Sequence, residues 1–281
     1  RSSDLLSFVG VNGIVRYLGT DLPAAQSAFI RFGFGVLFLL PVMPKMVRVG
    51  LAPGAARLFV GRGVVHLGAV LFWFYAMARI PVADVTAIGY LNPVLLLLAG
   101  SLLLGEVMTR RRLVALGLAT LGALIVLRPG VRELQLGHAS QIGAALCFAG
   151  SYLFAKRLTA LAPASVVVAM LSLTVTVGLA PIAAYVWVPV SWTQTGWLAV
   201  VAALATSGHY LMTRAFRAAP FSVTQPVTFL QLVWASLVGS FVFGEPVDAY
   251  VLLGGALIIG AISWVTWRDS VDAALADAQA R

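Results

Sequence analysis

Ten stretches of mostly apolar residues, joined by short polar connections, fill the chain: 5–19, 27–47, 60–78, 83–104, 112–128, 138–156, 163–186, 195–214, 222–243 and 249–267. An α-helix rises about 1.5 Å per residue, so roughly 20 apolar residues cross about 30 Å of hydrocarbon. Inside a bilayer every backbone N–H and C=O must be satisfied within the chain, and for segments of this length that means helix. The pattern predicts an all-α polytopic membrane protein of about ten transmembrane helices. Composition agrees: of 281 residues, 60% are apolar and only 10% are charged, against about 25% charged in soluble domains. A surface held in water needs more charge than this.

The net charge of +9 does not imply a nucleic-acid partner, because the basic residues sit in short loops between apolar runs. They read as topology signals instead. With the N-terminus in the cytoplasm, the inner loops hold Lys45, Arg48, Arg57 and Arg62, then Arg110, Arg111 and Arg112, then Lys156 and Arg157, then Arg214 and Arg217. The tails add Arg1, Arg268 and Arg281, while Arg16, Arg79, Arg128 and Arg132 fall outside, with Arg31 near the outer end of the second span. The roughly threefold inward bias predicts a multi-pass protein of a bacterial-type inner membrane with both termini cytoplasmic. The single cysteine, Cys147, excludes an intramolecular disulfide and a cysteine metal site. A start at Arg1-Ser2-Ser3-Asp4 without Met, ahead of a short first run, suggests a trimmed N-terminus and no cleavable signal peptide.

An internal repeat sets the organisation. Residues 76–106 align without gaps on 215–245, matching Ala76 with Ala215, Pro81 with Pro220, Gly100-Ser101 with Gly239-Ser240, and Gly105-Glu106 with Gly244-Glu245. Each half then holds five spans, 1–137 and 138–281. A unit with an odd number of spans, repeated in tandem, inserts upside down the second time, and such inverted repeats are the architecture of alternating-access carriers. Duplication for stability alone is the plainer alternative.

These residues also carry a resemblance. Arg16-Tyr17-Leu18-Gly19 to Asp21-Leu22-Pro23, then Phe29-Ile30-Arg31-Phe32, resemble the drug/metabolite transporter superfamily, EamA type. So do Ile80-Pro81-Val82-Ala83-Asp84, Leu91-Asn92-Pro93 and Leu103-Leu104-Gly105-Glu106, with Ala219-Pro220-Phe221-Ser222-Val223 and Phe243-Gly244-Glu245-Pro246 in the second half. The resemblance covers nearly the whole chain. It implies ten helices around a central cavity, lined by spans 1, 3, 4, 6, 8 and 9, with spans 5 and 10 peripheral. The family includes amino-acid exporters, so the resemblance implies amino-acid export; riboflavin or S-adenosylmethionine is the alternative cargo, and a non-transporting membrane enzyme or structural subunit the alternative of another class.

Polar side chains within spans are costly unless they face a cavity or a partner helix. Asn92 and Gln231 lie eleven residues past matched prolines, about half-way through the hydrocarbon. Two amides meeting there would hydrogen-bond a zwitterion, or else glue helices together. Thr224, Thr228, Gln231 and Trp234 share a face of span nine; Gln141, Phe148 and Tyr152 share one of span six. His66, Trp73 and Met77 do so on span three, and Thr206, His209, Tyr210 and Thr213 on span eight, with Tyr90 and Asn12 as further candidates. Such aromatic stripes also occur as packing or interface belts. Pro93 frees a backbone carbonyl near Gly89, and Gln225-Pro226 suits a gate hinge.

His66 and His209, one turn apart in repeat register, are the candidates for proton coupling. No Asp or Glu occupies the middle of a span; Asp84, Glu106 and Glu245 stand at helix ends, where they meet backbone or basic partners. No nucleotide-binding, zinc-hydrolase or paired-acid motif is present, so no catalytic residue, metal or cofactor is predicted. A small-molecule substrate and the bilayer are the expected partners. Ala115, Ala119 and Ala123, and Ala256 with Gly260, recur every four residues, a spacing that lets helices approach within the chain or in a weak homodimer.

Overall fold

The computed structural model describes residues 2–42, 44, 53–92, 94–95, 109–129, 131, 133–218 and 225–279, without the side chains of 2–6, 215–218, 225–230 and 273–279. Among them are ten α-helices and no strand. They are α1 (Ser2–Leu18), α2 (Ala24–Phe38), α3 (Ala55–Met77), α4 (Val82–Gly89), α5 (Arg110–Leu127), α6 (Leu136–Thr159), α7 (Ala164–Tyr185), α8 (Trp192–Ala218), α9 (Gln225–Phe243) and α10 (Ala249–Gln279). Each apolar run overlaps one of them. Pro23, Pro81 and Pro163 stand at N-caps, where a residue fixed near φ −65° has no helical hydrogen bond to lose. By length and composition, α3, α7 and the Ala249–Asp272 part of α10 are long and apolar enough to cross a membrane.

The packing has a regular form. Helix α3 lies on α6, and α1 on α8; α1 lies on α9, and α6 on α4; α2 lies on α8, and α7 on α3. Three further pairs are α2 with α7, α4 with α9 and α5 with α10. The main core joins α1, α2, α3, α7 and α8 through Val15, Phe32, Phe74, Met77, Leu171, Val175 and Val201; a second joins α4, α5, α9 and α10 through Ile88, Val126, Leu232 and Ile258.

The small residues of α5 are used inside the chain. Ala115, Ala119 and Ala123 are buried, and α5 crosses α10 so closely that a Cβ on Gly122 would stand 2.6 Å from the Gly254 carbonyl oxygen. The α10 residues facing this crossing are Gly254, Ile258 and Ala261, whereas Ala256 and Gly260 are exposed. The stripe expected on α10 therefore does not serve an approach within the chain. The four-residue spacing was real, but it starts two positions too late to reach α5.

The conspicuous Gly-Ser and Gly-Glu matches also acquire a reason. Helix α9 ends with Gly244 at φ +65°; its N–H donates to the Ser240 carbonyl at 3.1 Å and that of Glu245 to the Gly239 carbonyl at 2.9 Å. The bond from Gly244 to Ser240 is the αL form of helix cap, and the one from Glu245 satisfies a further carbonyl of the last turn. Gly239, lacking a Cβ, makes room for the Glu245 carboxylate, which would otherwise lie 2.6 Å away. The carboxylate then pairs with Arg16 at 2.9 Å and accepts the Val82 N–H at 3.0 Å, tying together the ends of α1, α4 and α9. Glu245 is thus the helix-end residue its position predicted; Glu106 lies outside the described residues. At the same end, His138 Nδ1 accepts the Gln135 N–H at 3.1 Å, so its proton is on Nε2, 3.3 Å from buried Asp84.

Two arginines require correction. Arg62, expected in an inner loop, is two turns inside α3 and 1% exposed. Arg31, expected near a span end, is buried at mid-helix in α2. The third apolar run starts at residue 60, whereas the helix begins at Ala55, after Gly54 at φ +78°.

Candidate functional site

Helix α3 buries Phe59, Arg62, Gly63, His66, Ala69, Val70 and Phe74, a stripe at i, i+3, i+4 and i+7. Arg62 and His66 are therefore neighbours one turn apart on the inward face. Helix α2 brings Arg31 and Phe32 to them, α6 brings Phe148, Ser151 and Tyr152, α8 brings His209, and α1 brings Phe8.

The two imidazoles meet edge to face, with ring centroids 5.4 Å apart. His66 Nδ1 lies 2.9 Å from Ser151 Oγ. Around His66 stand Phe148 at 5.3 Å and Phe32 at 5.9 Å, and His209 meets Phe8 at 5.8 Å. Phe148 stacks on Tyr152, and the Arg31 guanidinium lies 3.8 Å from the Phe32 ring centroid. Both guanidiniums are in electrostatic range of both imidazoles. Arg62 Nη1 donates to the Val167 carbonyl at 3.1 Å, while its Nε and Nη2, and Nδ1 of His209, are buried without a hydrogen-bond partner. Among the described residues neither arginine has an ion pair.

The structure brings together His66, His209 and Tyr152 of the residues selected from sequence, and leaves others apart. Gln141 lies ten residues, roughly 15 Å, along α6 from Ser151; its Nε2 donates to the Val85 carbonyl at 3.0 Å and its Oε1 has no partner. Tyr90, buried in the second core, bonds the backbone at Leu232, beside half-buried Gln231. Asn92 Oδ1 is buried without a hydrogen-bond partner, so the amide pair expected across α4 and α9 does not close through that oxygen. Trp73 packs on the main core, Asn12 is buried in α1, and Tyr210 lies under Arg214. Trp234 is 46% exposed and stands apart from the cluster. Pro93 and the side chains of Gln225, Pro226 and Thr228 lie outside the described residues.

A cleft of about 380 Å³ opens at the ends of α1, α2 and α3, with Val15, Ser27, Phe74 and Tyr75 in its walls. None of the solute-contact residues chosen from sequence lines it. The sequence reading missed Arg31 and Arg62. The signal for Arg62 was available: it is four residues before His66 and three after Phe59, on the stripe used to select His66.

Comparison with known proteins agrees with this architecture. The EamA-like transporter family model matches residues 6–128 and again residues 135–267. The S-adenosylmethionine uptake transporter of Rickettsia prowazekii is 26% identical over 94% of this chain and 91% of its own length. A riboflavin transporter of Rhizobium johnstonii is 29% identical, covering 91% of this chain and 86% of its own length. The pseudopaline exporter of Pseudomonas aeruginosa is 25% identical, covering 91% and 90%. A solved crystal structure superposes with a TM-score of 0.63 at 18% identity, over 95% of this chain and 96% of that one, a likeness of fold.

Proposed function

Because the chain belongs to the EamA-like transporter family, we propose that it is a secondary transporter working by alternating access between two oppositely inserted five-helix repeats, 1–137 and 138–281. Its relatives are small-molecule transporters rather than enzymes, and this chain is a small-molecule transporter of the bacterial inner membrane. Amino-acid-like metabolites, exported, are the cargo we propose, with both termini cytoplasmic.

The observation that carries the reading is the pairing of helices. Replace each helix number by the one five places away, and the nine pairs described above map onto one another: α3 on α6 becomes α8 on α1, and α2 with α7, α4 with α9 and α5 with α10 map onto themselves. Two such units that exchange conformations open alternately to the two sides. The double match of the family model supports the same division. A flux screen in proteoliposomes over amino acids, nucleosides and vitamins, with and without a pH gradient, tests it; no flux of any solute would overturn it. The relatives named for S-adenosylmethionine and riboflavin favour a second reading of the cargo, which the same screen separates.

We assign solute contact to Asn92, Gln231, Tyr90, Trp73, Gln141, Tyr152, Tyr210, Thr228 and Trp234 beside the two histidines, and hinge motion to Pro93, Gln225 and Pro226. The unpartnered Oδ1 of Asn92 and Oε1 of Gln141 support this, since buried acceptors left unpaired are costly. Asn92→Leu and Gln231→Leu, which nearly keep side-chain volume, are each expected to cut transport about tenfold, the equivalent of one hydrogen bond to the solute. Expression should be unchanged, and normal flux in both variants would remove these amides from the site.

A further inference from the structure

We infer that Arg62, with Arg31, His66 and His209 around it, forms a binding site for the oxyanion of the transported solute, a carboxylate or a phosphate. The inference rests on the transporter reading, because the cluster is closed in this structure and a solute reaches it only when the halves part.

Three observations converge. First, the cation is oriented. Arg62 spends Nη1 on the Val167 carbonyl, which leaves Nε and Nη2, the two parallel N–H groups of one guanidinium edge, buried and unused. That edge matches the spacing of two oxygens on a carboxylate or phosphate, the bidentate geometry for which arginine is suited. Second, the surroundings are positive and unbalanced. Arg31 is 7% exposed and Arg62 1%, and among the described residues no ion pair joins either. Buried charges in folded proteins are normally paired. Third, the neighbours suit an anion with an apolar body. His209 Nδ1 is a further unpaired polar atom, and Phe8, Phe32, Phe148 and Tyr152 supply ring faces and edges.

A structural role for Arg62, holding α3 to α7, would need only the bond to Val167. It gives no reason for a guanidinium where a shorter donor would serve, and none for the second arginine.

The test uses full-length protein in detergent and in proteoliposomes, with benzoate, inorganic phosphate and the neutral isostere benzamide as probes at matched ionic strength. Benzoate, phosphate or both are expected to raise the thermal midpoint by several degrees, and benzamide is not. The arm that responds identifies the class. Arg62→Lys, which keeps the charge without the fork, should weaken that response about tenfold, and Arg62→Met should abolish it. A wild-type midpoint indifferent to both anions, an equal response to benzamide, or a wild-type-like response from Arg62→Lys and Arg62→Met each overturns the inference, and the first of these needs no variant to fold. Counterflow separates the two readings. Anion binding without flux of any solute leaves the oxyanion site standing and removes the transporter mechanism. Flux in a wild type whose midpoint is indifferent to both anions, persisting in Arg62→Met, does the reverse.

Discussion

Glu245→Ala should be among the most destabilising single substitutions in the chain, lowering stability by about 3 kcal/mol and, with it, the unfolding midpoint in detergent. The carboxylate has two tasks. It neutralises Arg16, whose side chain is 21% exposed, and it accepts the Val82 N–H in the first turn of α4, one of the orphan donors every helix N-terminus carries. Alanine removes both; Glu245→Gln keeps an acceptor for Val82 and loses only the charge, so its cost should be smaller. Arg16→Gln should resemble Glu245→Gln, and the double variant should be no worse than either single one, because the partners act as a unit. Additive losses in that cycle would show that the Arg16–Glu245 pair does not couple α1 to α9.

The second large effect is expected at the crossing of α5 and α10. Gly122→Val and Gly254→Val each place a Cβ against the facing backbone, at 2.6 Å from the Gly254 carbonyl oxygen in the first case. A side chain can swing away, but a helix backbone can only move as a body. The axes must separate, and the contacts of Ala115, Ala119, Ala261 and Val265 loosen with them. Overpacking of this kind costs about 1–3 kcal/mol, sometimes more. Gly117 and Gly260, which have open space where a Cβ would point, serve as controls; alanine there should be neutral or slightly stabilising, by up to about 1 kcal/mol of helix propensity. Equal midpoints for Gly254→Val and Gly260→Ala would mean that the crossing is not tight.

The two predictions separate what could be read from sequence. Glycine and glutamate recurring at one offset in both halves marked a motif. Only the fold revealed that Gly239 clears space for the carboxylate of a residue six positions on, and that this carboxylate reaches α1 and α4. For α5 the alanine spacing pointed to a close contact and the structure supplied its partner. For α10 the same reasoning selected the exposed Ala256 and Gly260, because small residues on a lipid-facing side and on a packed side look alike in one dimension.

The candidate site divides in the same way. His66 and His209 are 143 positions apart; repeat register set them one turn apart, and only the fold brought their rings together. The arginines were lost because, in a membrane sequence, charge is the usual sign that a span has ended; a buried cation inverts the sign on which span boundaries rest.

The sequence by itself determined that the described residues are helical and roughly where their ten helices lie, since apolar run length and local capping residues act over a few neighbouring positions. Only the tertiary structure decided which small residues meet and which polar atoms stay unpaired, above all the free edge of Arg62. Those are properties of pairs far apart in the chain, and a side chain's partner is set by how helices cross rather than by what stands next to it in sequence.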